Sequence, residues 1–476
     1  MMDRPMYASP EPAPPPVRVR DPLAVALGNA SLLGVGYLIL GRRKTAVGTG
    51  IVTLVLVSVL VSAARWWSEV LVLVWWAAVI AHGWSAAGGR RAGIAVPRQR
   101  ILAAAVTVPV LLAAGLLRFD ASRIEERVAE AREDGDCARV LSDGAGVWFG
   151  HRVAGAPVAL RSDEAVEACR RLRTAEAKLT AGLAAGDTGS LKAGFDILAS
   201  VLAEPGQRRT VGTVLDGFLG RLPTDDACRT VTVTDWLHNR PPSHDALDRS
   251  AGAVTRAAPA ALVGCGDDLM KAKEWMGARA RYQQLLDQYP QDGLAGAAKN
   301  GVRQATLSIE LAHVRSLLED AYSGEQQPQY CSSPGKYSGA RAYGKGVNRA
   351  LFYGNDEYTD DLPGKWRVKD VANAVLIVCV GERKQGSVVE SCTYRSKSSG
   401  KLYRVSFHKV ALPVKVYELR TGRLVADRKV QIGGRSCPSV IRYRSSFLDD
   451  FGPDPDRYVN PSKSDVRAAF EPLIDR

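Results

Sequence analysis

Cysteine is missing from the first 136 residues of this 476-residue chain, and no apolar run long enough to cross a bilayer occurs after residue 118. The two absences are complementary. Disulfides persist only outside the reducing cytosol, so a membrane-embedded front end is expected to carry an oxidised extracytoplasmic region. Histidine is scarce too. His82, His151, His238, His244, His313 and His408 show no paired ligand spacing, and no Cys-x-x-Cys occurs. That removes the ordinary zinc and thiol-redox signatures, and no metal or cofactor is expected. A large basic excess on the soluble part is also lacking. Residues 1–118 hold twelve Lys/Arg against four Asp/Glu, a net of +8, which leaves +5 of the total +13 for everything after them. Nucleic acid is therefore not an expected partner.

Residues 1–22 are rich in Pro and Ala and read as a disordered tail. Residues 23–118 read as an anchor of four transmembrane helices, from the apolar segments Leu23–Leu40, Val47–Ala63, Val70–Trp84 and Ile101–Leu117. Each is near the lower limit for a core of about 30 Å at about 1.5 Å per residue. Basic loops stay cytoplasmic. Arg42, Arg43 and Lys44 mark the first loop as inside, and Arg90, Arg91, Arg98 and Arg100 the third, while the second carries only Arg65. Four crossings then place the tail and all residues after 118 outside, against the opposing pull of Arg4, Arg18 and Arg20; a three-span reading is disfavoured here because it would put the Arg42–Lys44 cluster and the later arginine cluster on opposite faces. Gly28 and Gly36, or Ala30 and Gly34, are small enough for close helix approach.

Residues 119–325 carry helical periodicity, as in Ala165, Ala168, Leu172 and Ala175. A duplication is legible. Cys137 and Cys169 precede the stretch from Ala193 to Pro205, and Cys228 and Cys265 precede the stretch from Ala278 to Pro290, with the same twelve-step spacing. The expected bridges are Cys137–Cys169 and Cys228–Cys265, one per copy, each stabilising a thin helical core by about 2–4 kcal/mol. The second helix resembles the tetratricopeptide repeat. Ala278, Tyr282 and Pro290 fall at its small, aromatic and proline positions, and Gly266 at the small position of the preceding helix. Leu285 stands where a small residue is usual.

Residues 326–476 switch to period two. Strands are expected at Ala374–Val380, Val388–Tyr394, Leu402–Val410, Val414–Leu419 and Leu424–Ile432, with a hairpin at Arg420-Thr-Gly-Arg423. Phe447–Asn460 reads as a loop and Ser464–Leu473 as a final helix capped by Ser462 or Ser464. The expected domain is an antiparallel sandwich or barrel closed by Cys331–Cys437, with Cys379–Cys392 across a hairpin. The fold class is thus a multi-domain α+β membrane protein. The order of spans, cysteine-bearing helices and β domain is similar to uncharacterised multi-pass envelope proteins of high-GC Gram-positive (actinobacterial) bacteria. That resemblance implies location and architecture and no catalytic residues.

Catalytic motifs fail on their own chemistry. Gly339-Ala-Arg-Ala-Tyr-Gly-Lys-Gly346 resembles a phosphate loop without the closing hydroxyl residue. Ser333-x-x-Lys336 and Ser398-x-x-Lys401 match the penicillin-binding motif but lie in Pro/Gly turns. Acidic runs at Asp356–Asp361 and Asp449–Asp456 lack calcium-loop spacing. The expectation is a non-enzymatic plasma-membrane scaffold that binds another envelope protein or cell-wall component. A ligand sensor acting through a partner is the second reading and a cell-wall enzyme the third. Tyr343, Phe352, Tyr353, Tyr358 and Trp366 offer an aromatic contact patch, with some of them expected in the core.

Overall fold

The computed structural model describes residues 20–63, 65–89, 96–319, 327–444 and 451–476. Most of the expected tail, the arginines at 90 and 91, Phe447 to Asp450 and Gln326 lie outside them. The chain divides into two compact units, 1–257 and 258–476.

Three helices of the first unit are long and apolar enough to cross a membrane: α3 (Arg43–Ala63), α4 (Trp66–Ala86) and α5 (Pro97–Asp134). The first expected span is not a fourth. Leu23–Leu40 breaks into α1 (Pro22–Ala30) and α2 (Val35–Ile39), folded back on each other. The break falls at Ser31–Gly34, where Leu32 and Gly34 both take positive φ and end one helix before the next begins.

Beyond the lipid-length stretch, α5 continues into a helical domain. Ala121, Ile124, Val128 and Ala131 bury one stripe against Val140 of α6 (Cys137–Gly144) and Ala165, Val166 and Cys169 of α8 (Ala156–Ala185). The Cys137–Cys169 bridge joins α6 to α8 as expected. The short helix α7 (Phe149–Ala154) links them. Next come α9 (Thr188–Leu202), α10 (Arg208–Leu219) and α11 (Ala227–Asn239). Cys228 and Cys265 are both disulfide-bonded.

In the second unit, α13 (Trp275–Gln288) and α14 (Ala295–Glu319) follow α12 (Ser250–Lys271), and a mixed sheet follows them. Among them α14 shares a core with that sheet. Val314, Leu317 and Leu318 of α14 pack with Tyr330, Ile377, Cys379 and Tyr417.

The sheet is neither sandwich nor wholly antiparallel. Six strands form one mixed sheet: β1 (Ala350–Tyr353), β2 (Leu376–Val380), β3 (Lys384–Arg395), β4 (Leu402–Glu418), β5 (Arg423–Ile432) and β6 (Asp456–Tyr458). β1 runs parallel to β2, and β6 parallel to β4. The two expected strands Leu402–Val410 and Val414–Leu419 are a single strand, β4. Along one edge β4 pairs first with β3, as far as Ala411, and then with β2 from Val414. Pro413, which has no amide hydrogen to donate, falls in the handover between those two partners. On the other edge β4 pairs with β6 and then β5. Gly422 takes φ +72° in the expected β4–β5 turn. The last helix, α15 (Lys463–Ile474), starts at a capping box of Ser462 and Asp465. Its Val466, Phe470, Leu473 and Ile474 cover the sheet.

The late bridges differ from expectation. They are Cys331–Cys379 and Cys392–Cys437. Cys379 is wholly buried in β2 and faces the short helix at Cys331, whereas Cys392 sits on the exposed strand β3. The consecutive strands β2 and β3 do not pair with each other, because both lie along the same edge of β4.

Candidate functional site

A groove of about 850 Å³ lies at the turn end of the β3–β4 hairpin. The small core beside it follows from the strand pattern. Val405 and Phe407 of β4 point inward with Val459, and Tyr394, Cys437 and Ile441 close over them. The Cys392–Cys437 bridge pins the segment from Cys437 to Tyr443 across β3, with the Cα atoms 5.9 Å apart. That segment, which has no regular secondary structure, forms one wall; the hairpin forms the other.

Tyr394, Tyr403 and Tyr443 face the groove, together with Arg395, Lys397 and Arg442. No Asp or Glu is among the described lining residues. The tyrosines are held in place. Tyr394 donates to the Pro438 carbonyl at 2.9 Å, and Tyr443 donates to Ser396 Oγ at 3.1 Å. The Tyr403 and Tyr443 rings meet at 6.5 Å, inclined by 64°. Burial, then the Glu390 carboxylate, pushes the Tyr394 phenol above its ordinary range, so it remains a neutral donor at neutral pH. Such a wall presents flat rings and fixed positive charge to a ligand.

Glu390 comes within metal-ligand reach of the sulfurs of Cys392 and Cys437. Those sulfurs are bonded to each other and lack the thiolate that holds a metal. Glu390 instead accepts from Ser436 Oγ at 2.6 Å.

The remaining expected residues are dispersed. Trp366 and Tyr358 are buried, and Tyr343 and Phe352 pack against the same core, so the expected aromatic patch is largely interior. Tyr353 packs against the second core of this unit. Ser398-Ser399-Gly400-Lys401 is the β3–β4 turn itself, with Ser398 and Ser399 amides donating to Ser396 Oγ. Lys336 of the other Ser-x-x-Lys pairs with Glu310 at 3.3 Å. At the glycine-rich segment, Gly344 and Gly346 carbonyls accept from the Asn348 amide.

The repeat residues diverge between copies. Tyr282 is gripped between Gly266 of α12 and Gly301 of α14; a Cβ on either glycine would come within 2.8 Å of its ring. Its hydroxyl donates to Asp267 at 2.6 Å, and burial followed by that bond raises its pKa. Ala278 and Leu285 are fully buried, and Pro290 lies just past the end of α13. In the first copy Ala193 is only half-buried, and Gly194 makes the close contact, against Leu179 of α8. Pro205 again lies just past its helix.

The groove was invisible in the sequence because its tyrosines come from three separate segments. The one available signal was the cysteine at 437, which ties a segment without strand character to β3. No family model matches the chain, and no curated protein or solved structure does.

Proposed function

We propose that this chain is a non-catalytic multi-pass plasma-membrane protein that holds its disulfide-stapled domains outside the cell and uses the β-domain groove to bind an anionic glycan of the envelope. The observation that carries the location is the partition of the chain: three spanning-length helices begin before residue 98, and every cysteine lies at or beyond residue 137 and is oxidised. The observation that carries the ligand class is the groove lining. Tyrosine rings offer amphipathic faces on which sugar rings pack, and Arg395, Lys397 and Arg442 supply charge complementary to carboxylate or phosphate substituents. The repeat-like helices α12–α14 serve as a scaffold surface in this reading.

Full-length protein in nanodiscs, titrated with purified anionic wall polymer, tests the proposal. Binding is expected to weaken steeply with salt. It should be lost in the Arg395→Ala/Lys397→Ala/Arg442→Ala variant and reduced in Tyr403→Ala. Binding that is equal for a neutral polymer, or unchanged in the triple variant, overturns the glycan reading. Eight reactive thiols in intact cells would overturn the location.

A further inference from the structure

The folded-back first segment has a topological consequence. α1 is nine residues, about 13 Å at 1.5 Å per residue, less than half of a bilayer core of about 30 Å. Its start lies against the N-terminal end of α5, and the end of α2 lies against the C-terminal end of α4. At the start, Asp21 accepts from the Val96 amide at 3.0 Å and from Arg100 Nε at 2.6 Å, and its own amide donates to Gln99. At the end, Leu40 clusters with Val25 and Ala87, the latter immediately after α4.

The depth of the turn can be read from α4. Trp76, halfway along α4, donates its indole N–H to the Ala30 carbonyl at 2.9 Å. Asn29 donates to the Val79 carbonyl at 3.2 Å. Backbone that leaves a helix at this depth needs partners from protein, and several of its groups have them. Ser31 Oγ donates to Gly28 O, Thr107 Oγ1 of α5 donates to Leu27 O, and the Leu32 amide donates to Asn29 O. Glycines permit the close approach. A Cβ on Gly36 would lie 2.2 Å from Val25 O, and one on Gly83 of α4 would lie 2.1 Å from the Asn29 amide nitrogen.

We infer that Asp21–Leu40 is a re-entrant hairpin, entering and leaving lipid on one side, so that the chain crosses three times and its N-terminal tail lies on the face opposite the disulfide domains. Charge agrees. With three crossings, Arg4, Arg18, Arg20, Arg42, Arg43, Lys44, Arg90, Arg91, Arg98 and Arg100 all share one face, and the α3–α4 link opposite holds only Arg65. The tail arginines, which oppose a four-span arrangement, now obey the basic-inside rule. That face carries ten cations against the anionic headgroups of the cytoplasmic leaflet, and the chain gains a cytoplasmic segment.

The test compares two single-cysteine additions in the full-length protein, Ser9→Cys and Lys178→Cys, labelled in intact cells with a membrane-impermeant maleimide before and after permeabilisation. The native cysteines, being oxidised, stay silent. Labelling of Lys178→Cys in intact cells, and of Ser9→Cys only after permeabilisation, is the expected result. The reverse pattern keeps the hairpin but overturns the outward orientation in the proposed function. Both positions reacting on the same side overturns the hairpin. If a cysteine variant fails to accumulate, protease protection of an epitope tag placed before Met1 reports the same sidedness.

Discussion

Helices α9 and α13 share a spacing and differ in what the spacing does. Both run toward a proline twelve residues after an alanine. In α13 that alanine is fully buried, and the aromatic four residues later is clamped by glycines of two neighbouring helices. In α9 the alanine is half-exposed, the contact has moved one residue on to Gly194, and the aromatic position is taken by Ile197. The first copy places its ring at Phe195 instead, edge-on to Phe218 and Trp236. A one-residue shift turns a helix face by about 100°, so equal spacing at the level of sequence need not mean equal packing.

The contrast can be tested by substitution. The largest effect is expected in the first copy at its bridge. Replacing Cys137 and Cys169 by serine opens a loop of separation 32 and should cost about 2–4 kcal/mol in denaturant unfolding. Next is Ala278→Leu, which overfills a closed helix junction and should destabilise by about 1–3 kcal/mol. Ala193→Leu should cost less than about 0.5 kcal/mol. Equal losses at the two alanines would mean that the copies pack alike after all. Tyr282→Phe removes the hydroxyl bond to Asp267 while leaving the clamped ring, and about 1 kcal/mol is expected.

The smallest effect lies outside both copies, at the β4–β6 edge. Asp456 accepts from or pairs with His408 Nε2 at 2.7 Å and, with the Gly386 carbonyl, raises the histidine pKa in the folded state. A raised folded pKa favours the protonated form. Its contribution is therefore complete below the unfolded value of about 6.5 and is lost as pH rises through the higher folded value. Thermal stability should fall slightly from pH 6.5 upward in the native chain and fall less over that interval in Asp456→Asn, where only the Gly386 carbonyl still favours the protonated ring.

Much of the secondary structure was legible because period and composition agree locally. The β4–β5 hairpin, the capped last helix and the Cys137–Cys169 bridge follow from Arg420–Arg423, Ser462 and the helical stripe around Cys169. Three features were not. The first apolar segment has the composition of a span, and only tertiary bonds from Trp76, Thr107 and Asn29 reveal that its backbone turns back at Ser31. Pro413 reads as a strand break, yet it is tolerated where β3 hands over to β2. Cysteine pairing depends on strand order, which local sequence does not encode: consecutive β2 and β3 line one edge of β4, so Cys379 and Cys392 each find partners elsewhere. The groove suffers the same blindness, since Tyr394, Tyr403 and Tyr443 meet only after that order is set.

The helix α5 runs for 38 residues with Pro109 inside it, roughly 57 Å at 1.5 Å per residue. Its first part is one of the spanning-length helices, and its last turns bury Ala121, Ile124, Val128 and Ala131 in the helical domain that follows. On the proposed topology, continuous helix rather than a linker joins the first disulfide-bonded domain to the anchor, so the length of that helix sets the distance between domain and bilayer.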